Sequence, residues 1–132
     1  MQMTVYPMLD DRTGELSEIK RRVIWGGRDN QIAWQWYLAG ADPVTAARAR
    51  CIDLSGLPAA WIGVGSRDLF YEESRAYSER VRRAGVRVHE EIADGAFHAF
   101  DVIAPNASVS QCFFASPCRA VRPGLVDDHV KC

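Results

Sequence analysis

Apolar and polar positions in this chain follow two different periods, and the change from one to the other marks out its elements. Ala59 to Gly65 (AAWIGVG) is continuously apolar, as expected of a strand covered on both faces. SRD follows as a turn. Leu69 to Gly85 then repeats at helical spacing: Tyr77, Val81 and Ala84 fall on one face. Glu72 and Glu73 lie in its first turn and Arg82 and Arg83 in its last, an order that suits the helix dipole. Gly85 is the expected terminator. Val86 to Ala93 alternates instead. Val86, Val88 and Ile92 point one way, Arg87, His89 and Glu91 the other, and Glu90 interrupts the apolar series. Such a strand is half exposed and belongs near a sheet edge.

The remaining segments are shorter signals. Met3 to Leu9 reads as a buried strand, with Pro7 near its end and Asp10 and Asp11 closing it. Leu16 to Trp25 has mixed helical character. Asn30 to Leu38 predicts a helix capped by Asp29 or Asn30, and ADPVTAARA a helix start with Pro43 in the first turn. SVSQCFFASPCRAV predicts a last helix, kinked or ended at Pro117. Strand, helix and strand with short connections make a right-handed βαβ unit. The expected class is α/β: about three parallel strands with flanking helices, one domain over residues 1–122, and a frayed polar tail over 123–132.

Composition narrows the function classes. In 132 residues, 25% are charged and the net charge is −1, so no global basic field draws nucleic acid or anionic lipid. The basic clusters Lys20-Arg21-Arg22 and Arg80/Arg82/Arg83 are read as solvated helix faces. No apolar run reaches the roughly 18 residues of a membrane span, and no secretory signal opens the sequence. Cys51, Cys112, Cys118 and Cys132 show no metal-ligand spacing. They are expected as free thiols of a cytoplasmic protein, with no metal site.

One pair of residues carries candidate chemistry. Parallel strands deliver their carboxyl ends to one rim of the sheet, where α/β proteins place their sites. Asp68 follows the first strand of the βαβ unit, and His98, within GAFHAFD, follows the second. There a carboxylate could fix one ring nitrogen and leave the other as a base. Two plainer roles stand beside this one. Asp68 also sits where it could cap the following helix, and a histidine between phenylalanines is often a packed one. His89 points outward on its strand, and His129 is in the tail. The serine elbow G-x-S-x-G does not occur: Ser66 follows Gly65, but no glycine follows at the required position. No run of glycines after a histidine is present to form an oxyanion hole.

YPMLDDR, the W…DN…AW…YL pattern, DLSGLPAAWIGVGSRDLFYEE, YSERVRRAGVRV and GAFHAFD, in this order, resemble the C-terminal part of the α/β-hydrolase fold-3 family, the hormone-sensitive-lipase-like esterases. The likeness covers Met3 to about Ser110. It implies that Asp68 matches the catalytic acid and His98 the catalytic base of a Ser-acid-His triad. The nucleophile and oxyanion segment are then expected before this chain, which would be a truncated or split hydrolase. Two positions depart from the family pattern. Ala99 stands where relatives often have Gly, and Leu69 where many have Pro.

The activity so implied is hydrolysis of short-chain carboxylic esters, with no cofactor. A small ester substrate is expected only once an N-terminal half completes the site, and the chain alone is expected to be inactive. The alternative is a non-catalytic interaction module that pairs with a separate N-terminal half or forms a homodimer. A third reading is a ligand rim around Trp34 and Phe97.

Overall fold

In the computed structural model, which describes residues 1–14 and 24–127, three parallel strands lie in the order β1 (Gln2–Val5), β2 (Ala60–Gly65), β3 (Val88–Ala93). Gln2 and Val88 flank Ala60 in register, and Ala93 pairs with Gly65 at the other end. All six residues of β2 are buried, because this central strand has a neighbour on each side and helices on both faces.

Helix α1 spans Gly27–Leu38 and α2 spans Pro43–Ala46, followed by a single 3-10 turn at Arg48–Arg50. The β2–β3 crossover is α3 (Tyr71–Arg83). After β3 come a one-turn α4 (Phe100–Ile103) and the long α5 (Ser108–Asp127). Helix α5 runs on through Pro117, so the proline does not end it. It reaches five residues into the expected tail, and residues 128–132 lie outside the described residues. The helical character expected at Leu16–Trp25 falls mostly outside them too.

Two apolar layers sandwich the sheet. On one face Tyr77 and Val81 of α3 pack on Ala60 and Ile62, with Leu9, Leu54 and Val86 completing the cluster. On the other, Trp61 meets Ala93, Ala96, Phe100 and Phe113. The Trp61 and Phe113 rings pack edge to face, 5.6 Å apart. The Trp61 indole nitrogen donates to Ser116 Oγ at 3.1 Å, and Ser116 donates to Glu91 Oε2 at 2.5 Å. Glu90 lies within 3.5 Å of Arg82, which accounts for its break in the apolar series of β3.

Three expectations change. The first strand covers only Gln2–Val5 and is not buried: Met3 is 43% and Val5 41% exposed. Both share a face with Trp61 by register, and α5 packs on β2 and β3. Tyr6, at φ 34°, turns the chain out of the strand before Pro7. Arg80 does not belong to a solvated face either. Its guanidinium donates to the Ala49 and Cys51 carbonyls, satisfying acceptors around the 3-10 turn. Trp34 is buried against Tyr37, ring centroids 5.5 Å apart, so it lines no rim.

Candidate active site

The turns after β2 and β3 are bonded to one another, and this sets the site. Ser66 N–H donates to the Ala93 carbonyl at 3.0 Å, and Arg67 N–H to the Ala96 carbonyl at 2.9 Å. Ser66 Oγ donates to Asp94 Oδ1 at 3.0 Å and accepts from Gly95 N–H at 2.7 Å. This approach requires Gly65: a Cβ there would stand 2.3 Å from the Ala96 carbonyl oxygen. Ser66 therefore clasps two loops.

The clasp brings Asp68 and His98 together. His98 Nδ1 lies 3.1 Å from Asp68 Oδ2 and 3.3 Å from Oδ1. The Asp68 side chain is fully buried, while that of His98 keeps 15% exposure. Asp68 Oδ1 also accepts the Phe70 N–H at 3.0 Å. The expected capping role does not hold: the N-cap of α3 is Phe70 and the helix has no side-chain cap. This bond closes a turn ahead of the helix, and the two carboxylate oxygens have room for it beside His98. With Nδ1 turned to the carboxylate, Nε2 is the nitrogen directed away from it.

Aromatic rings box the imidazole. Tyr6 and Phe70 meet it edge-on with centroids 4.6 Å and 5.4 Å away, and Trp25 lies tilted at 5.9 Å. These walls come from three segments, and the sequence reading did not single them out for the site. Tyr6 follows β1 as Asp68 follows β2, so the same rim argument, extended to the first strand, would have found it. Asp101 is a further omission. It is buried in α4, three residues after His98. Burial first, and then the Asp101 carboxylate beside it, hold the Tyr6 phenol above its ordinary range.

His98 is followed by Ala99 at φ 59°, ψ 26°, the left-handed region that glycine enters without strain. The departure from the family pattern at this position is thus a real backbone strain. Beside the His98 loop, Asp94, Phe97, Phe100, Val109 and Ser110 line an open cleft of about 220 Å³. His89 lies away from the rim, 3.4 Å from Glu91 Oε2 and 3.4 Å from Ser116 Oγ. His129 is outside the described residues.

A buried carboxylate also ties α3 to the segment that follows the first strand. Glu73 of α3 accepts the Leu9 N–H at 2.7 Å and the Thr13 hydroxyl. Burial is the main cause that raises its pKa to about 7, against the lowering effect of these donors.

An imidazole held by a buried carboxylate at the carboxyl ends of parallel strands defines a class, and the comparisons bear out that class. The alpha/beta hydrolase fold family model matches residues 1–102, and the chain belongs to that family. It is similar to the esterase LipW from Mycobacterium marinum, at 35% identity and a TM-score of 0.85, over 91% of this chain and 39% of that one. A bacterial heroin esterase matches at 29% identity and TM-score 0.80, over 94% and 42%. A hormone-sensitive lipase from a metagenome library shares the fold at 22% identity and TM-score 0.81, over 92% and 43%. The chain thus spans about two fifths of each solved structure. No curated protein matches the sequence. Among the described residues no helix is long and apolar enough to cross a membrane.

Proposed function

We propose that this chain is the C-terminal portion of a serine carboxylic-ester hydrolase acting on short-chain esters, with Asp68 as acid and His98 as base. The observation that carries this reading is the 3.1 Å approach of His98 Nδ1 to the buried Asp68 carboxylate. Two of the similar solved structures are esterases, which supports the ester as substrate class.

The chemistry then runs as follows. A serine hydroxyl carried on an N-terminal half attacks the ester carbonyl, and His98 Nε2 takes its proton. Asp68 holds the ring by Nδ1 and stabilises the imidazolium. The tetrahedral intermediate collapses, and the leaving alkoxide takes the proton from Nε2. Water then attacks the acyl-serine, with His98 again as base, and releases the acid. Neither the serine elbow nor the glycine-rich oxyanion segment occurs in these 132 residues. By itself the chain therefore lacks the two elements that lower the barrier most and turns over no ester.

The test joins the N-terminal part of the M. marinum esterase, with its serine, to this chain. Turnover of p-nitrophenyl acetate that falls at least about a hundredfold in both His98→Ala and Asp68→Ala supports the assignment. Activity indifferent to either substitution refutes it. A His98-dependent rate in the unfused chain refutes the claim of inactivity alone. The second reading, a non-catalytic module that pairs with a complementing chain or a second copy, is favoured by the open edge of β1 with exposed Met3 and Val5. A stable complex that hydrolyses nothing would support it.

A further inference from the structure

We propose that Glu73 is a positioning residue for His98: through Leu9 and Thr13, its buried carboxylate ties the two aromatic walls that come from the start of the chain to the helix that follows Asp68. This rests on reading Asp68 and His98 as acid and base, and it names what keeps the aromatic box in register with the acid.

Only one wall of the box moves with the acid. Phe70 is the N-cap of α3, close behind Asp68 in the chain, and its ring lies 5.4 Å from that of His98. Tyr6 and Trp25 come from much earlier in the sequence, yet their rings lie 4.6 Å and 5.9 Å from the same imidazole. Among the described residues, the direct hydrogen bonds from the segment 6–14 to α3 both end on Glu73. Leu9 N–H donates to Oε1 at 2.7 Å, and the Thr13 hydroxyl donates to Oε2. Other ties of this segment lead to the 3-10 turn: Ala49 N–H donates to the Leu9 carbonyl at 3.0 Å, and Arg50 pairs with Asp11 at 2.6 Å.

Each of the two bonds governs one wall. Tyr6 leaves β1 at φ 34° with its N–H on the Gly63 carbonyl at 2.6 Å. Pro7 stiffens the short link from there to Leu9, so the tether at Leu9 sets the direction in which the chain leaves the strand, and with it the ring. Thr13 governs Trp25. Its carbonyl accepts from Asn30 Nδ2 at 2.6 Å, and Asn30 N–H donates to the carbonyl of Gly26, the neighbour of Trp25, at 3.0 Å. Gly14 and Gly27 approach so closely that a Cβ on Gly27 would stand 3.1 Å from the Gly14 carbonyl oxygen. A displacement of Thr13 is therefore passed to the start of α1. Burying a carboxylate is costly unless donors meet it, and at Glu73 both oxygens are met.

The test needs no ester and uses the full chain labelled with ¹⁵N and ¹³C. Two signals report on the site: solvent exchange of the His98 ring proton facing Asp68, and nuclear Overhauser contacts from the imidazole to the Tyr6 and Trp25 rings. Glu73→Leu fills the place and removes both acceptors. It should speed the exchange about tenfold or more and weaken both ring contacts, with the Trp61–Phe113 contact on the other face of the sheet unmoved. Glu73→Gln keeps an oxygen for Leu9 N–H and offers its amide to the Thr13 hydroxyl, so it should retain the slow exchange. Thr13→Val severs one arm. It should weaken the Trp25 contact and spare that of Tyr6, and it should add nothing in the Glu73→Leu background.

Unchanged exchange in Glu73→Leu overturns the proposal. So does a Gln variant as fast as the Leu variant, or an equal loss at Trp61–Phe113, which would mark general loosening of the fold. If Glu73→Leu does not fold, Thr13→Val decides alone, and an unmoved Trp25 contact there is fatal. Failure of the fused enzyme to hydrolyse ester would remove the catalytic reading of the dyad while leaving the ring signals intact, so the two can fail separately.

Discussion

The β2–α3–β3 unit and the β1–α1 segment use similar residues and treat them in opposite ways. In the first, Trp61, Ile62 and Val64 are sealed between helices. In the second, Met3 and Val5 lie open, and α1 turns Trp36 outward at 80% exposure while burying the polar Asn30. Asn30 earns its place by donating to the Thr13 carbonyl at 2.6 Å. Hydrophobicity thus does not decide burial by itself. A strand with a neighbour on each side hides whatever it carries, whereas an edge strand hides only what a helix happens to cover.

The contrast is broken most directly with two tryptophans. Trp61→Ala should destabilise the fold by about 4 kcal/mol, through lost burial and the cavity left against Phe113. Trp36→Ala should change stability by less than about 0.5 kcal/mol. Urea unfolding of both variants checks this, and comparable losses would mean that α1 is packed in solution in a way the structure does not show.

Glu73 straps the two regions together, and its protonation should be visible in stability. The unfolded chain releases this proton near 4.5 and the folded chain near 7. Between those values the folded state holds a proton that the unfolded state has lost. The contribution is therefore complete below about pH 4.5 and declines as pH rises to about 7, by up to about 3 kcal/mol. The difference in stability between the parent and Glu73→Gln, followed from pH 4 to 8, isolates this group from the other carboxylates. A difference independent of pH would show that folding leaves the Glu73 pKa where it is in the unfolded chain.

Smaller effects sharpen the picture around the site. Gly65→Ala forces apart the two turns that Ser66 clasps and should cost about 2 kcal/mol. It should also displace the ring signals of His98 in NMR spectra, with those of Trp36 unmoved. Ala99→Gly should stabilise by up to about 1 kcal/mol, because it relieves a left-handed alanine, less the greater freedom that glycine brings to the unfolded chain. A rise in thermal midpoint with the His98 contacts retained is the expected result. A fall would mean that the strain at Ala99 is smaller than its backbone angle implies.

Much of the βαβ unit could be read from periodicity. The unbroken apolar run of β2, the Tyr77–Val81–Ala84 face of α3 and the alternation of β3 each follow from one residue's neighbours along the chain. The meeting of Asp68 and His98 followed from a topological rule, since parallel strands end on one rim. Less legible was everything that depends on side chains reaching across elements. Glu73 looked like an ordinary first-turn acid, and it reaches back to Leu9 and Thr13. Arg80 looked solvated, and it closes two carbonyls. The β1 segment looked like a buried strand because its composition is apolar, and composition carries no information about which neighbours are present.

The sequence alone determined the order of elements, the crossover, and the delivery of an acid and an imidazole to a common edge, because these rest on local period and on chain direction. Only the tertiary structure decided the 3.1 Å contact, the aromatic box around His98 and the burial of Asp101. The physical reason is distance along the chain. Tyr6, Asp68 and His98 belong to three separate loops, and their spacing is fixed by strand register and by the close approach at Gly65, which packing sets and no local pattern encodes.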